Sequence, residues 1–350
     1  MRPGHALSQA AGLAATASAA AARYGGTRLR AARRARELRR AGGFEYAESL
    51  QAGLLDPSIT LEEAARVVSE HEVTALLDRL NHVALAAQTA DKIIFYRYFS
   101  ALGLPVPELY GAVGRAGGWS ARSGRPLSGV EATAAFLAQD PPNEFVVKPS
   151  AGHHGFGVRL LRRAGAGFED LEHGPVGPRA LASQLIGDPV FDLHVVQERM
   201  RNHPGLQDIF PAEALQTIRL TTWVSASGSI GVLHGFVKLA VGGGVIDNFR
   251  DGSTGNVHVE VDVDSGAIGR PDAGWPAGVE GRVLPDWREA CALVREASEH
   301  LIPQRSMGWD VALSTRGPVI VEANRGYDPF PSPRFGEMVR TMAATAGAGA

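Results

Sequence analysis

The chain has 350 residues, of which 45% are hydrophobic and 21% charged, and its formal net charge is −2 at pH 7. That length can bury a substantial core in one large domain or two to three intimate ones, and the composition excludes a disordered chain. The near-neutral balance gives no general argument for nucleic acid or membrane, no apolar run reaches spanning length, and a lone cysteine forms no internal disulfide.

Residues 1–27 are rich in alanine with only scattered leucines, too weakly apolar for a secretory leader; they read as a poorly ordered or loosely helical tail. Arg28–Arg40 holds seven arginines and one glutamate at helix-compatible spacing. Contact with a membrane surface or nucleic acid is one reading; a solvated basic helix is the favoured one, because the opposite face offers little beyond Leu29, Leu38 and alanines. From Phe44 to Asp91 the pattern is helical. Pro57 breaks it, and Thr60 with Glu63 resembles a capping box that opens a helix through about Asp78. A further helix begins near Thr89–Asp91, carries Lys92, Ile93, Phe95, Tyr96, Tyr98 and Phe99, and ends at Gly103. There is no βαβ alternation in this third of the chain.

Glu144–Lys148 is a β-branched strand that stops at Pro149, and Val158–Arg162 resumes as a strand. Between them lies Ser150–Gly157, SAGHHGFG. Strand, glycine loop, strand is the form of a lid over phosphates, since glycine at 152, 155 and 157 lets backbone N–H groups approach oxygens that a Cβ would block. It is not a Walker A motif, because no GK[ST] closes it. A plain hairpin turn is the competing reading, but it needs fewer residues. His153 and His154 can donate to phosphate or simply face solvent; zinc would need further ligands at sensible spacing.

Phe191–Met200 is another strand. Leu215–Ser225 alternates, with Thr217, Arg219, Thr221 and Trp223 on one face; Ser229–Val241 carries His234 and Lys238; Val245–Phe249 leads into a loop, and Val257–Val263 alternates again. Strands in succession without long helices predict an antiparallel sheet. Arg219 and Lys238 on adjacent strands either face one pocket and hold anionic oxygens or lie on the surface. Asp286–Arg305 reads as a helix with Cys291 as a small core residue, and a last helix falls near Arg334–Ala344. Between those helices, Met307–Asp328 reads as two strands, Trp309–Leu313 and Val319–Ala323, joined by a turn. Alternation brings Asp310, Glu322 and Asn324 together. Two carboxylates and a carboxamide are hard oxygen ligands, the set magnesium takes when it also bridges nucleotide phosphates. The alternative is an ordinary hairpin with polar residues on its wet face.

One bias ties these pieces together. Of 35 lysines and arginines only three are lysine: Lys92, Lys148 and Lys238. Cations here are arginine by default, so a lysine marks a place where a compact ammonium suits the site better. Chance can account for any one of them; all three fall in contexts that suggest phosphate.

The motifs Asp91-Lys92 before a Gly-Leu-Pro-Val-Pro exit, FVVKPSAGHHGFGVRLL, VVQERM, QTIRLTTW, VIDNF and WDVALSTRGPVIVEAN, in this order, resemble the ATP-grasp superfamily, and within it the sugar-transfer associated ATP-grasp proteins. The resemblance covers roughly Phe44 to the last helix. It implies an α+β fold in which two subdomains with antiparallel sheets grip ATP. The expected organisation is an Ala/Arg-rich tail and basic helix at 1–43, a helical region at 44–110, one ATP-grasp subdomain at 111–200 and a second at 201–345. Carried over by motif, Lys92 and Lys148 would hold nucleotide phosphates, and the loop with Ser150, Gly152, His153, His154, Gly155 and Gly157 would close over them. The backbone of Gln197 and Glu198 would read adenine, and Asp310, Glu322 and Asn324 would bind Mg²⁺, with Mn²⁺ as a substitute. Many family ligases have an arginine two residues before the first metal aspartate. Here that position is Gly308, so Arg219 and Lys238 are the substitutes for that role, with Arg325 third.

The family's chemistry implies a cytoplasmic ATP-dependent carboxylate–amine ligase acting through an acyl phosphate, on a cell-surface sugar or peptide precursor. Its partners would be a small carboxylate and an amine, with no nucleic acid and no stable membrane insertion. A phosphotransferase acting on a hydroxyl and a nucleotide-binding scaffold without turnover are the alternatives. The substrate and oligomeric state are not legible.

Overall fold

The computed structural model describes residues 3–152, 155–241, 244–247, 254–270 and 278–346, with side chains from residue 8 onward. Two compact units emerge: residues 1–82, 225–229 and 326–350 form one, and residues 83–224 and 230–325 the other.

The first unit is helical, with α1 (Pro3–Tyr24), α2 (Arg28–Gly42), α3 (Tyr46–Gln51), α4 (Leu61–Ala64), α5 (Glu70–Leu80) and a C-terminal helix, Pro333–Ala346. Of the two readings of the tail, poorly ordered or loosely helical, the helical one holds, as the 22-residue α1. Alanine is the best helix former, and its small side chain lets α1 approach closely. Leu13 and Ala20 are buried in a cluster with Ala35 and Leu38 of α2 and with Phe44, Leu54, Leu55 and Val67. The basic helix is present, N-capped by the Thr27 hydroxyl and closed by Gly43 in the left-handed region. The expected helix from Thr60 to Asp78 is corrected to two. Thr60 and Glu63 do form a capping box, but α4 ends after four residues. Ser69 and Glu72 form a second box that opens α5, which buries Val73, Leu76, Leu77 and Leu80 at helical spacing.

The second unit carries two antiparallel sheets. The larger has β1 (Leu109–Gly114), β2 (Gly118–Ser120), β3 (Pro126–Leu127), β4 (Glu144–Pro149), β5 (Arg159–Ala164), β6 (Gly167–Asp170), β7 (Gly174–Val176) and β8 (Leu193–Glu198) in the order β3-β2-β1-β8-β4-β5-β6-β7. Its helices, after the short α6 (Ala87–Ala90) and α7 (Lys92–Ala101), are α8 (Gly129–Gln139) and α9 (Pro178–Ile186). The last two cover an apolar face made by Val113, Phe145, Val147, Leu161 and Val196.

After α10 (Pro204–Ile209) comes the smaller sheet: β9 (Thr217–Val224), β10 (Ile230–Leu239), β11 (Val257–Glu260), β12 (Ser306–Ser314) and β13 (Gly317–Asn324), in the order β11-β10-β9-β12-β13. Alternation splits each strand. Ile218, Leu220, Val237, Leu239, Val311 and Leu313 join the core with Ala290, Cys291, Val294 and Ala297 of α11 (Trp287–Glu299) and with Phe95 and Phe99 of α7. Cys291 is thus a buried core residue. The polar partners of that alternation, Thr217, Arg219, Lys238 and Asp310, take the other face. No described helix is long and apolar enough to cross a membrane.

Candidate active site

Strand register decides which side chains meet. One line of cross-strand neighbours runs over all five strands: Glu260, Phe236, Arg219, Asp310 and Glu322. Lys238 stands opposite His258 two residues farther along. Gly308 lies between Thr221 and Asn324. A bulge follows Asp310, where the register moves from Glu322 directly to Ile320 and leaves Val321 out of the pairing.

Asp310 is the most heavily bonded of the group. Its Oδ1 accepts from Arg219 Nε, its Oδ2 from Arg219 NH2 at 2.9 Å, and Lys238 Nζ lies 2.9 Å from Oδ1. Burial alone would raise its pKa, but Arg219 and then Lys238 outweigh burial and hold the carboxyl well below the usual range. The bidentate fork orients the guanidinium as a lysine could not.

Lys92 and Lys148 arrive from opposite sides. Asp91 Oδ1 accepts from Ile93 N and Ile94 N and so starts α7; its Oδ2 accepts from the Ser150 hydroxyl at 2.8 Å. Helix start and glycine loop are therefore joined, and Lys92 N donates to Ser150 O at 3.0 Å. Lys92 Nζ donates to Gly152 O at 2.7 Å and to Glu322 Oε1 at 3.3 Å. Lys148, on β4, donates to Tyr96 Oη at 2.9 Å. Tyr96 sits one turn after Lys92 and donates to Val321 O at 2.8 Å, the carbonyl that the bulge releases from the ladder. Burial pushes the Lys148 ammonium down to about 8, against the pull of Glu322, Asp310 and Asp247.

In the loop itself, Gly155 (φ 68°) and Gly157 (φ 69°) take left-handed backbone conformations that suit glycine. A Cβ on Gly157 would meet Pro149 Cγ at 2.9 Å, and one on Gly155 would meet Ile246 Cδ1 at 3.0 Å. His153 and His154 lie outside the described residues, as do residues 248–253, where Val245–Phe249 is expected to lead into a loop.

Gln197 and Glu198 close β8. Glu198 N donates to Glu108 O, and its Oε2 accepts from Glu108 N at 3.0 Å and Arg316 NH2 at 2.7 Å. The Glu198 main-chain N–H and one of its carboxylate oxygens are therefore already engaged. Gln197 is buried, and its Oε1 has no hydrogen-bond partner among the described residues. A buried amide oxygen left without a donor costs about 1–3 kcal/mol, and a ligand amine would satisfy it.

One residue was not singled out from the sequence. Asp247 Oδ2 accepts from Thr217 N at 2.8 Å and from Thr217 Oγ1 at 2.6 Å. Burial raises its pKa, opposed by the charge of Lys238 and the Thr217 hydroxyl. The only sequence signal was an aspartate inside VIDNF. Beside Lys238, burial also lowers His258 to about 3, so its imidazole is neutral at pH 7.

The cluster thus sets four cations (Lys92, Lys148, Arg219, Lys238) against three carboxylates (Asp247, Asp310, Glu322). A surplus of positive charge suits a polyanion. For a divalent ion the donors are Asp310, Glu322 and Asn324, neighbours by register. Among the described residues no group of three His, Cys, Asp or Glu could hold a metal by itself. Asp310 Oδ1 already serves both Arg219 and Lys238, whereas Oδ2 takes only Arg219 and keeps lone-pair capacity for an ion. The donor set therefore fits magnesium shared with phosphate oxygens, and does not form an all-protein cage.

Residues 72–330 match the family described as sugar-transfer associated ATP-grasp. None of the curated proteins matches the chain. Among solved structures, it is similar to D-alanine–D-alanine ligase from Helicobacter pylori at 10% identity and TM-score 0.42, over 76% of this chain and 61% of that one. It is also similar to D-alanine–D-alanine ligase from Bacillus anthracis complexed with ATP, at 12% and 0.41 over 75% and 68%. A third is the RimK domain ATP-grasp protein from Sphaerobacter thermophilus, at 18% and 0.40 over 75% and 69%. At these values the likenesses carry no residue assignment.

Proposed function

From membership of the sugar-transfer associated ATP-grasp family, to which this chain belongs, we propose that it is an ADP-forming, ATP-dependent carboxylate–amine ligase. It would act in the cytoplasm on a small precursor of a cell-surface polysaccharide or peptide. The observation that carries this reading is Asp310, gripped by Arg219 and Lys238 and paired across the ladder with Glu322. A buried carboxylate between two cations holds them in fixed positions, ready for charge that develops during phosphoryl transfer.

In this reading Lys92, Lys148 and the N–H groups of the glycine loop hold the phosphates of ATP. The main chain at Gln197–Glu198 meets the adenine edge, and Gln197 Oε1 accepts from the exocyclic amine. Asp310, Glu322 and Asn324 would hold Mg²⁺, which would supply positive charge against the phosphates. Arg219 takes the place of the arginine absent at Gly308, because the register brings it to Asp310 from the neighbouring strand. A substrate carboxylate oxygen attacks the γ-phosphorus, the bond to the bridging oxygen breaks, and ADP leaves. The amine then attacks the acyl carbon; the tetrahedral oxyanion, stabilised by Arg219 and Lys238, collapses with loss of a proton from nitrogen and expulsion of phosphate.

A second reading, phosphoryl transfer to a hydroxyl, draws on Asp247, a carboxylate beside Lys238 that is suited to accept the hydroxyl proton. Hydroxylamine separates the two. With Mg·ATP and a library of carboxylates, a ligase yields a hydroxamate and phosphate, whereas a kinase yields an acid-stable phosphate ester. Absence of ADP formation with any acceptor would count against both.

A further inference from the structure

The arginine-rich helix α2 lies outside residues 72–330, the part of the chain that matches the family. Where α1 turns into α2, the first unit holds a cavity of about 480 Å³, within the usual range of small-molecule sites. Arg30, Arg33 and Arg34 line it, with Glu37 the single acidic residue of the lining. Arg34 is built into the wall: its Nε donates to Leu54 O at 2.5 Å and its NH2 to Ile59 O at 2.6 Å. Burial pushes this guanidinium below its ordinary value; Glu37 and Asp56 pull it back, and Arg30 adds repulsion of like charge. Arg33 is paired with Glu37 at 3.0 Å. Three guanidiniums are thus gathered at a concave site against two carboxylates, Glu37 in the lining and Asp56 acting on Arg34, and positive charge remains in excess. Tyr24 and Thr27 add hydroxyls to the lining, and Leu55, Pro57 and Leu61 give it an apolar side: Leu55 is buried, Pro57 is exposed, and Leu61 stands 51% exposed.

We propose that this cavity binds a phosphate monoester carried on an apolar stem, its dianion against Arg30, Arg33 and Arg34 and its stem along Leu55, Pro57 and Leu61. Arginine forks match phosphate oxygens in pairs, and a dianion offsets the excess charge. The exposed leucine gains a covering that a free inorganic ion would not give.

The test is calorimetric titration of the full-length protein, below micelle-forming concentrations, with decyl phosphate, inorganic phosphate and decyl maltoside. Decyl phosphate is expected to bind one to one and at least about tenfold tighter than either of the others, a difference of about 1.4 kcal/mol. Arg30→Glu, at an exposed position, should weaken it at least about tenfold while leaving the Mg·ATP-induced thermal shift unchanged. Arg36→Glu/Arg40→Glu changes two exposed arginines of α2 that do not line the cavity, and should bind like the wild type. Equal weakening in that control would show diffuse attraction to a basic helix, and equal binding of decyl maltoside would show apolar adsorption; either overturns the proposal. Vesicles of phosphatidic acid identify the source. Co-sedimentation of wild type but not Arg30→Glu assigns the phosphate to a membrane lipid, and soluble binding without co-sedimentation assigns it to a soluble ester.

Discussion

Replacing Tyr96 with phenylalanine removes one oxygen that joins the lysine of β4 to the strand of the proposed metal ligands. Lys148 Nζ loses its acceptor at 2.9 Å, and Val321 O its donor at 2.8 Å. A hydrogen bond to a charged group contributes about 1.5–3 kcal/mol, and a carbonyl left unpaired costs about 1–3 kcal/mol. Relief from desolvating the phenol offsets part of this, so the expected loss is about 3 kcal/mol. In a unit of this size that corresponds to a fall in Tm of about 6–12 °C. Because the ammonium would no longer be positioned, the Kd for Mg·ATP should also rise about tenfold. Scanning calorimetry and titration of the variant measure both quantities. Unchanged Tm and unchanged Kd would refute the idea that Tyr96 positions Lys148. A fall in Tm with unchanged Kd would leave it a structural bond only.

Three further expectations follow from the same cluster. Glu322→Gln should weaken Mg·ATP binding by at least about tenfold and lower Tm by a few degrees, since Lys92 keeps Gly152 O but loses its counter-charge. Titration of Mg²⁺ against fixed ATP reads the first effect. Lys148→Arg should bind ATP poorly despite retained charge, because a planar guanidinium does not fit a buried slot shaped to an ammonium and a phenol; normal affinity would contradict this. The pH dependence has a defined sign. Lys148 is lowered from 10.5 to about 8, so between pH 8 and 10.5 the folded state binds fewer protons than the unfolded chain. This group's contribution to the stability of the nucleotide-free protein therefore rises with pH across that window, while nucleotide affinity falls as the ammonium is lost. Thermal unfolding and ATP titration at pH 7 and 9.5, in wild type and Lys148→Met, separate the two; a slope in affinity that persists without the lysine would contradict the assignment.

Period-two alternation exposed much of the smaller sheet, because its strands are long, with one apolar and one polar face: Arg219, Asp310 and Glu322 sit on the side that alternation assigned them. The place of the glycine loop between β4 and β5 was legible too, because Pro149 and the run of glycines interrupt two β-branched or apolar stretches. The short strands β2, β3 and β7 were not legible, because two or three residues establish no period. Of the two readings of the tail the helical one holds, but its packing was not legible, because alanines give little hydrophobic signal and yet Ala20 and Ala35 are buried together where α1 meets α2. Tyr96 looks like any aromatic residue of a buried helix; its role depends on a lysine 52 residues away and a carbonyl 225 away. Asp247 was missed for the same reason, its partner Thr217 being 30 residues distant. Long-range polar ties of this kind leave no local pattern.

Thermal unfolding with Mg·ATP, compared with Mg²⁺ alone and with ATP plus a chelator, tests the central claim most directly, because it needs no knowledge of the acceptor. At 100 times its Kd, a ligand that binds only the folded state stabilises it by about 2.7 kcal/mol. The expected result is a rise in Tm that requires both nucleotide and metal and is reduced in Glu322→Gln. A wild-type Tm unmoved by Mg·ATP across the millimolar range, or moved equally in the variant, would contradict it.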